Sequence, residues 1–153
     1  MKNIKQFFTY LVVGALVAAL SISCKSNEEP SGYTHSNHPP AGTYIYGNDD
    51  KIKATVVNNA DGTCHITGTA DHWNGGNEYE YQDFDITITK WRQPNNSTVS
   101  FAGSENKESE ATINSPSGVV DFEVQYHSES GSLWIWFGPS GKRYNTSGLT
   151  KQQ

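Results

Sequence analysis

Two tryptophans spaced one residue apart, Trp134 and Trp136, are the side chains of this sequence best suited to contact a ligand. Indole faces stack on sugar rings and on other flat apolar surfaces. Glu123 and Gln125, which the strand register below sets opposite them, can supply hydrogen bonds. This is the make-up of a carbohydrate or small-ligand platform, unless the tether, a loop or the chain terminus covers the rings, or they line a barrel lumen. Trp91 at the end of a strand and Trp73 in a polar loop are further ligand-binding candidates. The stretch from Asp71 to Asp85 also holds Glu78, Glu80 and Asp83, with no Lys or Arg. Clustered carboxylates can hold calcium. There is no Asp-x-Asp-x-Asp-Gly loop, however, and Asp83 and Asp85 share one strand face while Glu78 and Glu80 take the other parity. A solvated acidic edge is expected, and no metal is assigned. His35 and His38 fall in a predicted tether, His65 and His127 on outward faces, and His72 beside Asp71 with no activated Ser or Cys. Glycoside hydrolysis needs two carboxylates across a cleft, and no distinctive pair stands out in so small a domain. The sequence has neither GxSxG nor a Gly-rich phosphate loop. Catalysis and cofactors are not expected.

The elements that must position these residues read with a period of two. Ile52, Ala54 and Val56 alternate with Lys51, Lys53 and Thr55, the pattern of a half-buried strand. Asn59-Ala60-Asp61-Gly62-Thr63 then predicts a type I turn closed by a left-handed glycine with a G1 bulge. Pairing Asn59 with Thr63 sets Val56 opposite Ile66, Ala54 opposite Gly68 and Ile52 opposite Ala70. The apolar sets fall on one side, so turn and pattern agree. Gly68 and Ala70 leave space for a bulky neighbour or a bend. A polar loop from about Asp71 to Asn77 precedes a strand with Phe84, Ile86 and Ile88 inward. Short strands follow around Val99 and Phe101 and around Ala111 and Ile113. The last hairpin alternates Val120, Phe122, Val124 and Tyr126 with polar residues and turns through Ser128-Glu129-Ser130-Gly131. Pairing His127 with Ser132 sets Tyr126 opposite Leu133, Val124 opposite Ile135 and Phe122 opposite Phe137. Trp134 and Trp136 then face away from that apolar set. A weak strand around Lys142 to Tyr144 closes the sheet. Short strands joined by hairpins predict an all-β fold, a single antiparallel up-and-down β-barrel, with a β-sandwich as the alternative.

Upstream of the domain the chain changes character. Lys2 and Lys5 precede an apolar run from Ile4 to Leu20, and Ser21, Ile22 and Ser23 lead to Cys24. A basic start, an apolar middle and a small-residue exit predict a signal peptide over 1–23, too short to span a membrane. Residues 24–40 are polar and Pro-containing and read as a flexible tether. The β domain is expected over 41–149. Without Lys2 and Lys5, nine basic residues face sixteen acidic ones, a formal charge of −7. That balance argues against nucleic acid and against adhesion to anionic lipid headgroups.

Cys24 directly after Ser23 resembles the lipobox of bacterial lipoproteins, whose peptidase cuts before a cysteine that then carries lipid. The family prefers Leu three residues before the cysteine; here Ser21 stands there. Ser21-Ile22-Ser23 also fits the small-x-small pattern of ordinary secretion, which would leave Cys24 free to pair with Cys64. Under the lipoprotein reading Cys64 is a lone, buried thiol. Lys25-Ser26-Asn27-Glu28-Glu29 resembles the acidic tethers of Bacteroidetes lipoproteins, which accompany export to the cell surface. Ala41-Gly42-Thr43-Tyr44 and Asn59-Ala60-Asp61-Gly62-Thr63 resemble the calycin-like and lipocalin-like barrel lipoproteins of the same bacteria, over roughly residues 41–148. These resemblances imply lipidation at Cys24 and an outer-membrane location, on the cell surface or the periplasmic side. The expected function is a non-catalytic binding protein for glycan or a small apolar ligand. The alternative is an accessory interaction subunit of an outer-membrane complex, with the tryptophans buried against that protein partner.

Overall fold

The computed structural model describes residues 38–153, except Asn77, Glu105, Val120, Pro139 and Ser140. The predicted signal peptide, Cys24 and the tether as far as Asn37 lie outside the described residues, as does Val120 of the last hairpin. The described chain is all-β. Its strands are β1 (Gly42–Tyr46), β2 (Asp49–Asn58), β3 (Cys64–Trp73), β4 (Tyr79–Lys90), β5 (Val99–Gly103), β6 (Glu110–Ser115), β7 (Asp121–His127), β8 (Ser132–Gly138), β9 (Tyr144–Asn145) and β10 (Leu149–Lys151).

All the pairings are antiparallel, in the order β5-β7-β8-β10-β1-β2-β3-β4-β6. β9 and β10 divide the length of β8 between them, β10 at Leu133 and β9 at Trp136 and Phe137. β9 also meets β3 at Asp71↔Asn145. Following β1-β2-β3-β9-β8-β10 back to β1 therefore closes a six-stranded barrel. β4 and β6 extend it from β3, β5 and β7 extend it from β8, and an isolated bridge between Arg92 and Phe101 joins the two extensions. A closed antiparallel barrel with extra strands is thus the architecture, and the sandwich is not.

Two hairpins fold as their turn chemistry dictates. In the first, Asn59 N donates to Thr63 O at 2.8 Å and Gly62 N to Asn59 O at 3.1 Å, with Gly62 at φ 86°. Asp61 Oδ1 accepts from the Thr63 amide at 3.0 Å, closing an Asx turn. The ladder pairs Val56 with Ile66 and Ala54 with Gly68. It ends at Lys53↔Thr69, so Ile52 and Ala70 share the core face without a ladder pair. In the last hairpin, Tyr126↔Leu133, Val124↔Ile135 and Phe122↔Phe137 pair as the alternation requires.

The inward faces fill the barrel. Val56, Ile66, Ile86, Ile88, Val124, Leu133, Ile135 and Phe137 are fully buried together with Tyr44 and Leu149. Phe84 and Phe137 meet edge-on at 5.6 Å, and Phe137 stacks on Tyr144 at 5.4 Å. Cys64 lies in this core as a free cysteine, and burial pushes its thiol pKa up to about 12.

The domain is longer at both ends than the composition suggests. Pro39 is buried, and its carbonyl accepts from Asn58 Nδ2 at 3.0 Å. The Tyr44 hydroxyl donates to Pro40 O at 2.8 Å. His38 accepts from Trp91 Nε1 at Nδ1 (2.8 Å), so its Nε2 carries the hydrogen and donates to Gly62 O (2.9 Å). Residues 38–40 therefore belong to the domain rather than to a tether ending at 40. At the other end, β10 continues past 149, and Gln152 N donates to Thr43 O at 2.9 Å. Asp71, His72 and Trp73 are strand rather than loop, because β3 stays paired with β4 as far as Trp73↔Tyr79.

Candidate functional site

β7 and β8 bring four of the candidate residues together. Glu123 pairs with Trp136 and Gln125 with Trp134, on the face away from the core. Trp134 is 41 % exposed. It lies over Gly148, where an added Cβ would stand 2.9 Å from the indole, and its Nε1 donates to Ser132 Oγ at 3.3 Å. Trp136 is half-buried, its ring capped by the Arg143 guanidinium at 4.1 Å and its Nε1 donating to Glu123 Oε1 at 3.4 Å. Glu123 also accepts from Gln125 Nε2 at 2.6 Å and from Asn106 Nδ2 at 2.8 Å. Carboxylate and carboxamide are thus held in place beside one open indole and one capped indole.

Trp91 is not part of any outer surface. It is 2 % exposed, with its indole N–H bonded to His38. The β4–β6 register shifts between Ile88 and Lys90, and beyond that shift Trp91 joins the buried cluster. Trp73 is the reverse case. It is 61 % exposed at the tip of the β3–β4 hairpin, and its Nε1 donates to Gly76 O at 3.1 Å.

Much of the acidic stretch is tied into cross-strand hydrogen bonds. Asp83 accepts from Thr69 Oγ1 at 2.6 Å. Asp85 accepts from Asn114 Nδ2 at 2.7 Å and pairs with His65 Nε2 at 2.8 Å; the Asn114 bond first, then His65, holds its carboxyl below the ordinary value. Glu80 takes the inward parity, where Lys142 and the Tyr144 hydroxyl (2.5 Å) both bond its carboxylate. Those bonds, Lys142 first, lower its pKa to about 2. His72 Nδ1 donates to the Arg143 carbonyl at 2.7 Å, beside the Tyr144 ring. Among the described residues no group of three or more His, Cys, Asp or Glu is placed to hold a metal ion.

Three exposed aromatics escape a reading of tryptophans alone. Tyr46, Tyr79 and Tyr81 line a cleft of about 350 Å³ with Asn48 and Asp71, over Ile52. Tyr81 also borders a hollow of about 520 Å³ lined by Asp50, Lys51, Lys53 and Thr69. The parity of Tyr79 and Tyr81, opposite to that of Phe84 and Ile86, is the signal that marks them as outward. No protein-family model, curated protein or solved structure matches the chain.

Proposed function

We propose that this protein is a lipid-anchored, extracytoplasmic binding protein without catalytic activity, held at the outer membrane through Cys24. Its ligand is a glycan or a small apolar molecule, contacted on the outside of the barrel at Trp134, with Glu123 and Gln125 supplying hydrogen bonds. The observation that carries this reading is the open indole of Trp134 beside a carboxylate and a carboxamide already fixed by their neighbours. Rings and polar groups held in advance lose little freedom on binding. Side chains fill the barrel interior, which directs the ligand to the outer face.

Titration with glycan and hydrophobe panels tests the reading through tryptophan fluorescence. A saturable change that Trp134→Ala removes is the expected result. If Trp134→Ala and Trp136→Ala lower stability and alter no ligand response, the binding reading fails. One membrane protein then co-purifying in fixed ratio would identify an accessory subunit instead. The anchor has a separate test: Cys24→Ala should move the protein to the soluble fraction, and its retention in the membrane would refute lipidation there.

A further inference from the structure

We infer that the cleft where β2 parts from β3 is a second binding site, built for an extended, uncharged oligosaccharide. The β2–β3 ladder stops at Lys53↔Thr69, and β3 then reaches across to β9 at Asp71↔Asn145. The gap this leaves is floored by Ile52 and walled by Tyr46 on one hairpin and by Tyr79 and Tyr81 on the next. Tyr81 is the ridge between this cleft, about 350 Å³, and the neighbouring hollow of about 520 Å³. Each volume falls in the roughly 300–1,000 Å³ range of ligand sites. Two hollows on either side of one exposed ring are two subsites, joined by a surface on which a chain of sugars stacks.

The lining chemistry selects the ligand. Exposed tyrosine rings offer the flat apolar faces on which the C–H side of a sugar packs. Asp71 and Asn48 border one hollow beside Tyr81, and Lys53 and Thr69, whose hydroxyl donates to Asp83, border the other, so acceptors and donors line both as sugar hydroxyl groups require. A purely apolar ligand would cover this polar lining without offering it hydrogen bonds. Carboxylates and ammonium groups are both present, Asp50 and Asp71 against Lys51 and Lys53, so neither sign of ligand charge is favoured. The Lys51 ammonium itself stands 5.7 Å from the Tyr81 ring centroid.

The placement agrees. The chain arrives at His38, bonded to Gly62 O in the β2–β3 turn. The cleft lies at the other end of β2; Asp50 to Asn58 spans about 26 Å at roughly 3.3 Å per residue. The cleft thus lies at the end of β2 remote from the point where the chain enters the domain, and it shares no residue with the Trp134 face.

Calorimetric titration of the full chain carrying Trp134→Ala isolates the cleft. The probes are linear hexasaccharides of β-1,4-glucose, β-1,4-xylose, β-1,4-mannose and α-1,4-glucose. At least one should bind with 1:1 stoichiometry. Adding Tyr81→Ala should weaken that binding at least tenfold, while adding Tyr81→Phe, which keeps the ring, should hold it within threefold. Unchanged melting temperatures separate lost contact from lost fold. If no hexasaccharide binds the Trp134→Ala protein, or Tyr81→Ala changes nothing, the cleft site is overturned. Neither result affects the fluorescence test of the tryptophan face.

Discussion

Replacing Gly68 with alanine probes the close approach of β2, β3 and the Phe84 ring. An added Cβ would stand 2.0 Å from Lys53 O, 2.7 Å from Phe84 Cζ and 2.9 Å from Ala54 Cα. Ordinary contact begins near 3.4 Å, so the Lys53 carbonyl would have to retreat by about 1.4 Å. Two of the three obstructing atoms are backbone and cannot swing aside as a side chain does. Overpacking costs about 1–3 kcal/mol, and rigid neighbours place this site at about 3. Alanine also restricts the unfolded chain, which returns about 0.4–1 kcal/mol. The net loss is about 2 kcal/mol, or about 8 °C in Tm for a domain of this size. Gly62→Ala is the control: it has nothing within 4 Å but holds φ +86°, a different kind of strain. A left-handed alanine costs about 1–2 kcal/mol. Thermal unfolding followed by tryptophan fluorescence compares the variants. A Gly68→Ala protein melting at or above the wild type would refute the packing argument, because no close approach would then require glycine there.

Three further outcomes follow from the interior and its rim. Glu80 has a folded pKa of about 2 against 4.5 for a free glutamate, so the stability it contributes is present above pH 4.5 and is lost as pH falls toward 2; Glu80→Gln should flatten that acid limb in pH-dependent denaturation, and an unchanged limb would contradict the Lys142–Tyr144 clamp. Cys64, with its thiol pushed up to about 12 and buried, should stay unreactive to a thiol-specific reagent at pH 8 and react fully in denaturant; fast native labelling of Cys64 would show that the core opens there. Trp91→Phe should keep most of the packing but lose the hydrogen bond to His38, costing about 1 kcal/mol and loosening residues 38–40, detectable as earlier proteolysis at that segment.

Where local chemistry and hydrophobic alternation coincide, the fold was legible. The Asn59–Thr63 turn and the Ser128–Gly131 turn each set a register, and the apolar faces they align are those that pack. Closure of the barrel was only half legible. A strand around Lys142 to Tyr144 carried some signal, but the β3–β9 contact joins Asp71 to Asn145 across a separation that no local pattern encodes. β10 has one buried residue, Leu149, and so shows no alternation to detect. The placement of Trp134 and Trp136 followed from register. The capping of Trp136 by Arg143 did not, because Arg143 precedes the short strand β9 and reaches the ring only after β9 docks on β8. Trp91 left the expected surface because the chain shifts register just before it. The tyrosine cleft was hidden for a related reason. It exists only because β2 and β3 separate after Thr69, an event set by distant pairing rather than by the tyrosines.

The opposite placement of His38 and the cleft also decides how the domain bears load. A pull applied between the chain entry at His38 and the far end of β2 would run lengthwise along the strands. Antiparallel ladder bonds lie across that direction, so the pull shears them. β1, which takes up the chain after His38, is paired on both sides, with β2 and with β10. Force entering there meets two ladders at once and loads their bonds together instead of opening them one after another. The wall that holds the barrel closed is also oriented to resist being drawn apart lengthwise.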